Sequence, residues 1–254
     1  MGLEEQRGAL ERAAALLRKA RYGVALTGAG ISTPSGIPDF RSDEGLWRQV
    51  DPMEVASLWG FRLNPERFYA WIRPLIRTLV EAQPNPAHYA LAEMERRGWI
   101  KVVITQNIDR LHQKAGSSHV LEVHGSIETM TCQGCGHRES SEPYLRPEVL
   151  EQMDLPRCPH CGGVLKPDVV LFGEALPWAT WRAAEEAVEQ ADVLLVAGSS
   201  LEVYPVADLP YQAARKGAKV ILVNLAPTPF DPYAEVLLRG DVAEVLPALV
   251  EMAR

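Results

Sequence analysis

The chain has 254 residues, of which 47% are hydrophobic and 23% charged, and its formal net charge is −7 at pH 7. This length fits one large α/β domain, or one such domain with a small insertion, and the composition is that of a folded protein. The acidic balance argues against nucleic-acid binding, which usually requires a basic stripe for phosphates. No apolar run is long enough to cross a bilayer, and the first residues lack a secretory signal. We therefore expect a cytoplasmic protein with no nucleic-acid or membrane partner, and we take it to be a monomer.

The amino-terminal segment predicts an amphipathic helix, because Leu10, Ala13, Ala14 and Leu17 share one face. An apolar run at residues 22–27 follows it and ends in Gly-Ala-Gly at residues 28–30. This is the pattern of a buried strand that enters a tight loop.

Short apolar runs of the same kind recur at residues 101–105, 193–197 and 219–223. Each follows a helix-like stretch, at residues 87–97, 181–190 and 206–216 respectively. Strands that alternate with helices predict a parallel sheet covered on both faces, with a ligand crevice at the carboxyl ends of the strands.

Two stretches interrupt this alternation. Residues 45–85 look helical and are rich in aromatic side chains, whereas residues 126–165 contain all four cysteines and little apolar periodicity. We predict that both are insertions, a helical module and a four-cysteine module, into a sheet domain formed by residues 1–44, 86–125 and 166–254. A cleft between the sheet domain and its insertions is the expected ligand site.

The cysteines form two C-x-x-C knuckles, Cys132 with Cys135 and Cys158 with Cys161, separated by 22 residues. Four thiolates from two tight turns suit a tetrahedral structural zinc ion and leave no open position for catalysis. The alternatives are two disulfides or a redox pair, which an intracellular chain and the duplicated knuckle disfavour. His137 and His160 lie nearby and could replace a ligand, but we expect them to be exposed.

The loop after the first strand carries features of a nucleotide site. Gly28 and Gly30 would let the backbone approach a pyrophosphate, and Ser32 with the loop amides would donate to its oxygens. The spacing is not G-x-G-x-x-G, so an ordinary strand-to-helix turn is the alternative.

Other predicted strands also end in polar residues. Gly198-Ser199-Ser200 follows one strand, Asn224 ends another, and Gln106-Asn107-Ile108-Asp109 follows a third. Several polar strand ends along one sheet edge suit an extended dinucleotide, although Asp109 could instead cap a helix that contains Leu111.

His124 ends a strand-like run, residues 120–124, just before the cysteine module. A lone histidine at such a place is usually a hydrogen-bonded core residue. Its predicted position between the sheet domain and the insertion makes it a candidate general base, because imidazole titrates near neutrality.

Taken together, these motifs resemble the sirtuin family. The match runs from Gly28-Ala29-Gly30-Ile31-Ser32 through Gly36-Ile37-Pro38-Asp39-Phe40-Arg41, residues 106–109, His124-Gly125, the cysteines, Phe172-Gly173-Glu174 and residues 198–200. The order and spacing agree over residues 20–245 or so. The resemblance implies a Rossmann-type domain that binds NAD and a smaller lobe made of a zinc-ribbon module and a helical module.

The resemblance also implies a reaction, in which an acylated lysine of a protein or peptide transfers its acyl group to ADP-ribose and nicotinamide is released. His124 would deprotonate a ribose hydroxyl, and Asn107 would orient the ribose. The residues implied to bind NAD are Gly28, Ala29, Gly30, Ser32, Ile37, Asp39, Phe40, Arg41, Gln106, Asn107, Ile108, Asp109, Gly198, Ser199, Ser200, Asn224, and Asp241 and Val242 in a loop. Those implied to face the substrate are Tyr69, Val169, Val170, Leu171 and Phe172, with the peptide added as a strand.

One departure bears on the acyl group. A family branch that prefers succinyl-lysine has Tyr-x-x-Arg in the helical module, whereas here Ile72 lies three residues after Tyr69 and the arginine is Arg73. On a helix this shift moves the guanidinium by about 100°. We therefore expect simple acetyl or other uncharged acyl groups, and core packing is the alternative role for Tyr69 and Ile72.

Three other functions are alternatives to lysine deacylation. NAD-dependent mono-ADP-ribosyl transfer would use the same residues. A zinc-ribbon binding module without chemistry is disfavoured by the polar strand ends, and a dehydrogenase by the lack of G-x-G-x-x-G with an acidic residue about 20 positions later.

Overall fold

The structure is a computed structural model that describes residues 2–39, 45–46, 50–146, 149 and 155–254. In chain order its strands are β1 Gly23–Thr27, β2 Val102–Thr105, β3 Val120–Glu122, β4 Gly125–Cys132, β5 Arg138–Ser140, β6 Leu165–Val169, β7 Val193–Ala197, β8 Lys219–Asn224 and β9 Val236–Arg239. Its helices are α1 Arg7–Lys19, α2 Pro52–Val55, α3 Leu58–Leu63, α4 Pro65–Glu81, α5 Pro86–Arg96, α6 Leu111–Lys114, α7 Trp178–Gln190, α8 Leu209–Arg215 and α9 Val242–Met252. The chain forms two compact units, unit 1 with residues 1–35, 83–123 and 178–254, and unit 2 with residues 36–82 and 124–177.

Unit 1 contains a six-stranded sheet in the order β3-β2-β1-β7-β8-β9. Every neighbouring pair in it is parallel. The strand order changes direction between β1 and β7, which is the topological feature of a Rossmann-type sheet. The predicted parallel α/β fold is therefore confirmed.

Both faces of this sheet are buried, as the apolar runs require. Side chains of α1, α5 and α9 form one cluster with alternate strand residues such as Ala25, Leu195 and Ile221. The intervening residues, among them Leu26 and Leu194, are also fully buried and point to the opposite face, because strand side chains alternate.

The predicted strands of unit 1 agree with the observed ones to within a residue or two, but two elements of this unit differ from the sequence pattern. The stretch at 206–216 is a 3-10 turn, Val206–Asp208, followed by the shorter α8, which has a proline in its first turn. The edge strand β9 was not predicted, because its four residues leave little room for a periodic signal.

Unit 2 contains a helical part and a three-stranded antiparallel sheet in the order β5-β4-β6. The side chains of Asp51, Ser57 and Asn64 each accept a backbone hydrogen bond at a helix start, so the predicted helical region is divided into α2, α3 and α4. Phe61, Phe68 and Tyr69 pack edge to face. Across the described part of the chain, no helix combines the length and apolar character that a membrane span needs.

Candidate functional site

The carboxyl ends of five parallel strands in unit 1 carry most of the residues that the sequence predicts to bind NAD. Residues 28–32 follow β1, residues 106–109 follow β2, and residues 198–200 follow β7. Asn224 ends β8, and Asp241 follows β9. Because the sheet is parallel, all these residues lie along one edge of it.

Two of these loops touch each other directly. The amide of Gly30 donates to the carbonyl of Gly198 at 2.9 Å. Gly198 has φ +63, and a Cβ on it would lie 2.3 Å from the amide nitrogen of Ile31. Glycine is thus required here by the approach of the two loops, in addition to any approach of a pyrophosphate.

Ser32 and Asp109 are joined by a short hydrogen bond. The Ser32 hydroxyl donates to Oδ2 of Asp109 at 2.6 Å, and Oδ1 of Asp109 accepts from the amide of Leu111. Asp109 therefore accepts from the amide of the first residue of α6, although the N-cap position itself is Arg110. Ser32 is buried and its O–H is engaged in the hydrogen bond to Asp109, so in this state it has no free donor for a phosphate.

The same bond fixes the orientation of Asn107. Because the Ser32 hydroxyl already donates to Asp109, it can only accept from Asn107, whose Nδ2 lies 3.0 Å away. The amide of Asn107 thus has its NH₂ toward Ser32 and its Oδ1 turned away from it. Its backbone N–H also donates to Thr105 Oγ1, so the residue is held at two points.

Two buried histidines lie beneath this loop network. Nδ1 of His88 accepts from the backbone N–H of Asn85, so its proton is on Nε2, which lies 3.4 Å from Ser32 Oγ. Thr27 donates to Thr105, so Nε2 of His112, 2.9 Å from Thr27 Oγ1, is a donor. The accepting Nδ1 makes His88 a neutral imidazole, whereas Nδ1 of His112 is buried without a hydrogen-bond partner.

Burial favours the neutral form of both imidazole rings. Desolvation lowers the pKa of His88 to about 4, with Asp109 opposing the shift, and lowers that of His112 to about 3, with His88 adding to it. The two rings are 5.0 Å apart. The pair is a structural support of the loops rather than an acid–base couple at neutral pH.

The remaining predicted NAD residues of unit 1 differ in accessibility. The Gln106 side chain donates to Ser199 Oγ at 3.0 Å and links the loops after β2 and β7. Asn224 is buried, and its Nδ2 donates to Ala226 O. Asp241 is exposed and caps α9, whose first residue, Val242, is buried in the core cluster. The segment expected to be a loop is thus a helix start, and Val242 would offer a ligand its backbone rather than its side chain.

The rest of the predicted set belongs to unit 2. Ile37 is buried, and the carbonyl of Asp39 accepts from the amide of Leu46. Phe40 and Arg41, both predicted to bind NAD, lie outside the described residues.

His124 directly precedes β4 and is half-buried. Its carbonyl accepts from the amide of Val170, the first residue after β6, at 2.8 Å. The candidate base is therefore attached through its backbone to the segment predicted to face the substrate. Within that segment Val169 and Leu171 are buried, whereas Val170 and Phe172 are half-buried.

Tyr69, the other predicted substrate residue, is almost fully enclosed. Its hydroxyl donates to Leu165 O at 2.6 Å, and burial raises its pKa. The neighbouring Ile72 is buried as well. These contacts favour the packing role that the sequence left open for both residues.

The four cysteine sulfurs of unit 2 lie within 4.8 Å of one another. Cys132 and Cys161 are 3.4 Å apart, and Cys135 and Cys158 are 3.7 Å apart. A tetrahedral zinc ion with Zn–S bonds near 2.3 Å needs sulfurs about 3.8 Å apart, so the cluster fits that ion. The cysteines are not disulfide-bonded.

Backbone amides contact two of the four sulfurs. The amides of Gly134 and Gly163 point at Cys132 and Cys161 from 3.3 and 3.4 Å. A backbone hydrogen bond from Cys135 is the largest of the contributions that lower the pKa of Cys132 to about 6. All four ligand positions are filled by protein, so the site is structural.

The sequence profile of the Sir2 family matches residues 28–205. The chain belongs to the Sir2 family. Among its sirtuin relatives, an NAD-dependent protein deacylase 2 of Archaeoglobus fulgidus is 50% identical over 95% of both chains. An NAD-dependent protein deacetylase of Thermotoga maritima is 43% identical over 93% of this chain and 95% of its own.

Solved sirtuin structures agree with the fold. One from a study of the mechanism and regulation of Sir2 enzymes has a TM-score of 0.91 at 47% identity and covers 97% of this chain and 98% of its own. Another, of a Sir2 protein with a deacetylated p53 peptide and 3′-O-acetyl ADP ribose, has a TM-score of 0.89 at 41% identity and covers 99% and 98%.

Sequence reasoning missed the residues that support the site from behind. Neither His88 nor His112 directly follows a predicted strand, so the strand-end pattern does not mark them. A local signal did exist for His88, which forms a capping box with Asn85 at the start of α5. Lys166 in unit 2 was missed as well, since a lysine is normally read as exposed, whereas its partner Glu174 belongs to a matched motif.

Proposed function

We propose that this chain is an NAD-dependent protein lysine deacylase, which transfers an acyl group from lysine to ADP-ribose and releases nicotinamide. The single observation that carries the proposal is the network of Ser32, Asn107 and Asp109 at the carboxyl edge of a Rossmann-type sheet in a Sir2-family chain. The names of its relatives, NAD-dependent protein deacylase and deacetylase, support the same activity.

NAD supplies the reaction with a ribose carbon, C1′, that becomes electrophilic as nicotinamide departs. Asn107 orients that ribose through the amide face that is turned away from Ser32. Ile108 and Asp109 hold the nicotinamide carboxamide, while Ala29, Ile37 and Asp39, with Phe40 and Arg41, line the nicotinamide and phosphate end. The adenosine end is bound by Gly198, Ser199, Ser200 and Asn224, and by Asp241 and Val242 at the start of α9. Gly28, Gly30, Ser32 and Gln106 shape the loops that present these groups.

His124 is the general base. In its neutral form it takes a proton from the ribose hydroxyl that captures the acyl group. Its backbone bond to Val170 supports this role, since the base and the substrate-facing segment then keep a fixed relation within unit 2.

The substrate is an acylated lysine on a protein or peptide, bound as a strand along residues 169–172. Sirtuin structures with propionylated and myristoylated peptides support this class of substrate. Because a buried Ile72 replaces the arginine of the succinyl-preferring branch, this chain prefers uncharged acyl groups. The sequence-based domains are an NAD-binding domain of residues 1–44, 86–125 and 166–254 with modules at 45–85 and 126–165; the compact units differ from these bounds, since residues 124–125 and 166–177 belong to unit 2.

A panel of acetyl-, propionyl- and succinyl-lysine peptides, incubated with and without NAD, tests the proposal. We expect deacylation only with NAD, one nicotinamide released per lysine freed, and loss of turnover in His124→Ala with zinc retained. Nicotinamide release without deacylation, accompanied by ADP-ribosylated protein, would instead identify a mono-ADP-ribosyltransferase. Full activity of His124→Ala would remove His124 from its role.

A further inference from the structure

Residues 169–174 of unit 2 form a short segment that is bonded on both sides. On one side the amide of Val170 donates to the carbonyl of His124. On the other, the amide of Phe172 donates to Ala56, and its carbonyl accepts from Leu58 at the start of α3. The segment therefore connects the residue before β4 to the helical part of unit 2.

A buried lysine points into this segment. The side chain of Lys166, in β6, is only 8% exposed. Its Nζ donates to the carbonyl of Pro167 at 3.0 Å, to the carbonyl of Val169 at 2.9 Å and to Oε2 of Glu174 at 3.1 Å. An ammonium group has three N–H donors, and here each has an acceptor.

Glu174 closes the other end of the segment. Its Oε2 accepts from the amide of Leu171 at 2.8 Å as well as from Lys166, and its own amide donates to the carbonyl of Leu171. The turn passes through Gly173 at φ +85. The carboxylate thus satisfies the Leu171 amide and, through Lys166, links the turn to β6.

The backbone next to His124 packs closely against this segment. Gly125 pairs with Val169 and has φ +76, and a Cβ there would lie 2.0 Å from the carbonyl oxygen of Asp168. A displacement of residues 169–171 would therefore be transmitted to the backbone of His124.

We infer that Lys166 and Glu174 are positioning residues for the acylated peptide: their ion pair holds residues 169–172, the segment proposed to face the substrate, in the conformation that the peptide contacts. This inference rests on the proposed deacylase function. Neither side chain is assigned contact with a reacting atom, so both act through the backbone of the segment. Because the segment is already ordered, binding of a peptide does not carry the entropy cost of ordering it.

Three variants test the inference, namely Glu174→Gln, Lys166→Met and the double variant that carries both changes. Each single change leaves a buried charge without its partner, whereas the double variant removes both charges and with them that penalty. Lys219→Met is the matched control, because Lys219 and Glu235 form an exposed lysine–glutamate pair at 2.7 Å in unit 1.

The readouts are kcat and KM for an acetyl-lysine peptide at saturating NAD, KM for NAD, and zinc content. We expect peptide KM to rise about tenfold or more in all three variants and kcat to fall by a smaller factor, because His124 is attached to the segment through its backbone, while KM for NAD stays within about threefold of the wild type. Binding of a fluorescent acetyl-lysine peptide in the presence of ADP-ribose should weaken in parallel. The control should match the wild type in every readout.

The double variant separates positioning from folding. If it recovers the thermal stability lost in the single variants and still shows a raised peptide KM, the pair positions the segment. If the single variants fail to fold, the peptide KM of the double variant alone shows whether the ion pair positions the segment. Wild-type peptide KM in the double variant would overturn the inference while leaving the deacylase function intact. A wild-type chain that never deacylates would instead refute the proposed function.

Discussion

Asn107 donates its side-chain N–H to the hydroxyl oxygen of Ser32 at 3.0 Å, while that hydroxyl donates its own proton to Asp109. One buried serine thus links the loop after β1 to two residues of the loop after β2. The direction of each bond follows from the others, so the Asn107 amide has a single orientation.

Replacing Ser32 by alanine should lower kcat for deacylation about 10- to 100-fold, because a misplaced Asn107 would no longer orient the ribose. Steady-state kinetics with an acetyl-lysine peptide measure this. The effects of Ser32→Ala and Asn107→Ala should not add, since one acts through the other. Ser118→Ala, which removes an exposed hydroxyl bonded to Glu95, is the control. Additive losses would mean that Ser32 acts independently of Asn107.

Mild acid should destabilise the protein through His88 and His112. Their folded-state pKa values are lowered from 6.5 to about 4 and about 3. The unfolded chain therefore binds more protons below pH 6.5, and stability falls as the pH drops from 7 toward 4. Each ring should cost about 2 kcal/mol of unfolding free energy between pH 7 and pH 5, by linkage.

Urea unfolding at pH 7, 6 and 5 measures this loss. Asp109 faces His88 and opposes the lowering of its pKa, and the two histidine rings face each other. The variant His112→Gln keeps an N–H donor for Thr27 and should lose about half of the pH dependence. A free energy of unfolding that stays constant from pH 7 to pH 5 would show that the rings titrate normally.

The sheet and the metal cluster could be predicted from sequence because each depends on local pattern. The runs that became β1, β2, β7 and β8 are buried on both faces and so are apolar throughout, and the cysteine knuckles carry their geometry in their spacing. The short edge strand β9 lacked such a pattern. The positions in the candidate site were predictable, but their hydrogen-bond partners were not.

The reason is that those partners are distant in sequence. Ser32 was expected to donate to a phosphate, yet its proton goes to Asp109, 77 residues away. Gly30 meets Gly198 across the switch between β1 and β7, and no local pattern reports that contact. His88 and His112 are buried by residues that are distant in sequence. Their burial therefore depends on tertiary structure and has no local sequence pattern.

Removing the zinc ion should abolish activity. We also expect the four cysteines to be its ligands, with no ligand from a histidine. Structural zinc sites contribute about 10 kcal/mol or more to folding in small domains, so chelation or Cys158→Ala should unfold the cysteine module and stop deacylation. A colorimetric assay for released zinc should give one ion per chain. His160→Ala is the control, because its exposed ring packs on His137 at 4.1 Å outside the four-thiol cluster. Loss of zinc in His160→Ala would show that the histidine serves as a ligand.

Gly198 and Gly217 separate the effect of backbone conformation from that of close contact. Both have positive φ, at +63 and +93, but only a Cβ at Gly198 would collide with backbone, 2.3 Å from the Ile31 amide nitrogen, whereas Gly217 has open space. Gly217→Ala should therefore cost about 1 kcal/mol of unfolding free energy, the usual penalty of a left-handed alanine. Gly198→Ala should cost about 3 kcal/mol or more, because the loops after β1 and β7 must also separate.

Under native conditions the same change should weaken binding of ADP-ribose, measured by calorimetry, while Gly217→Ala leaves it unchanged. Equal losses of stability in the two variants would mean that the loops yield easily, and that their contact does not shape the nucleotide site.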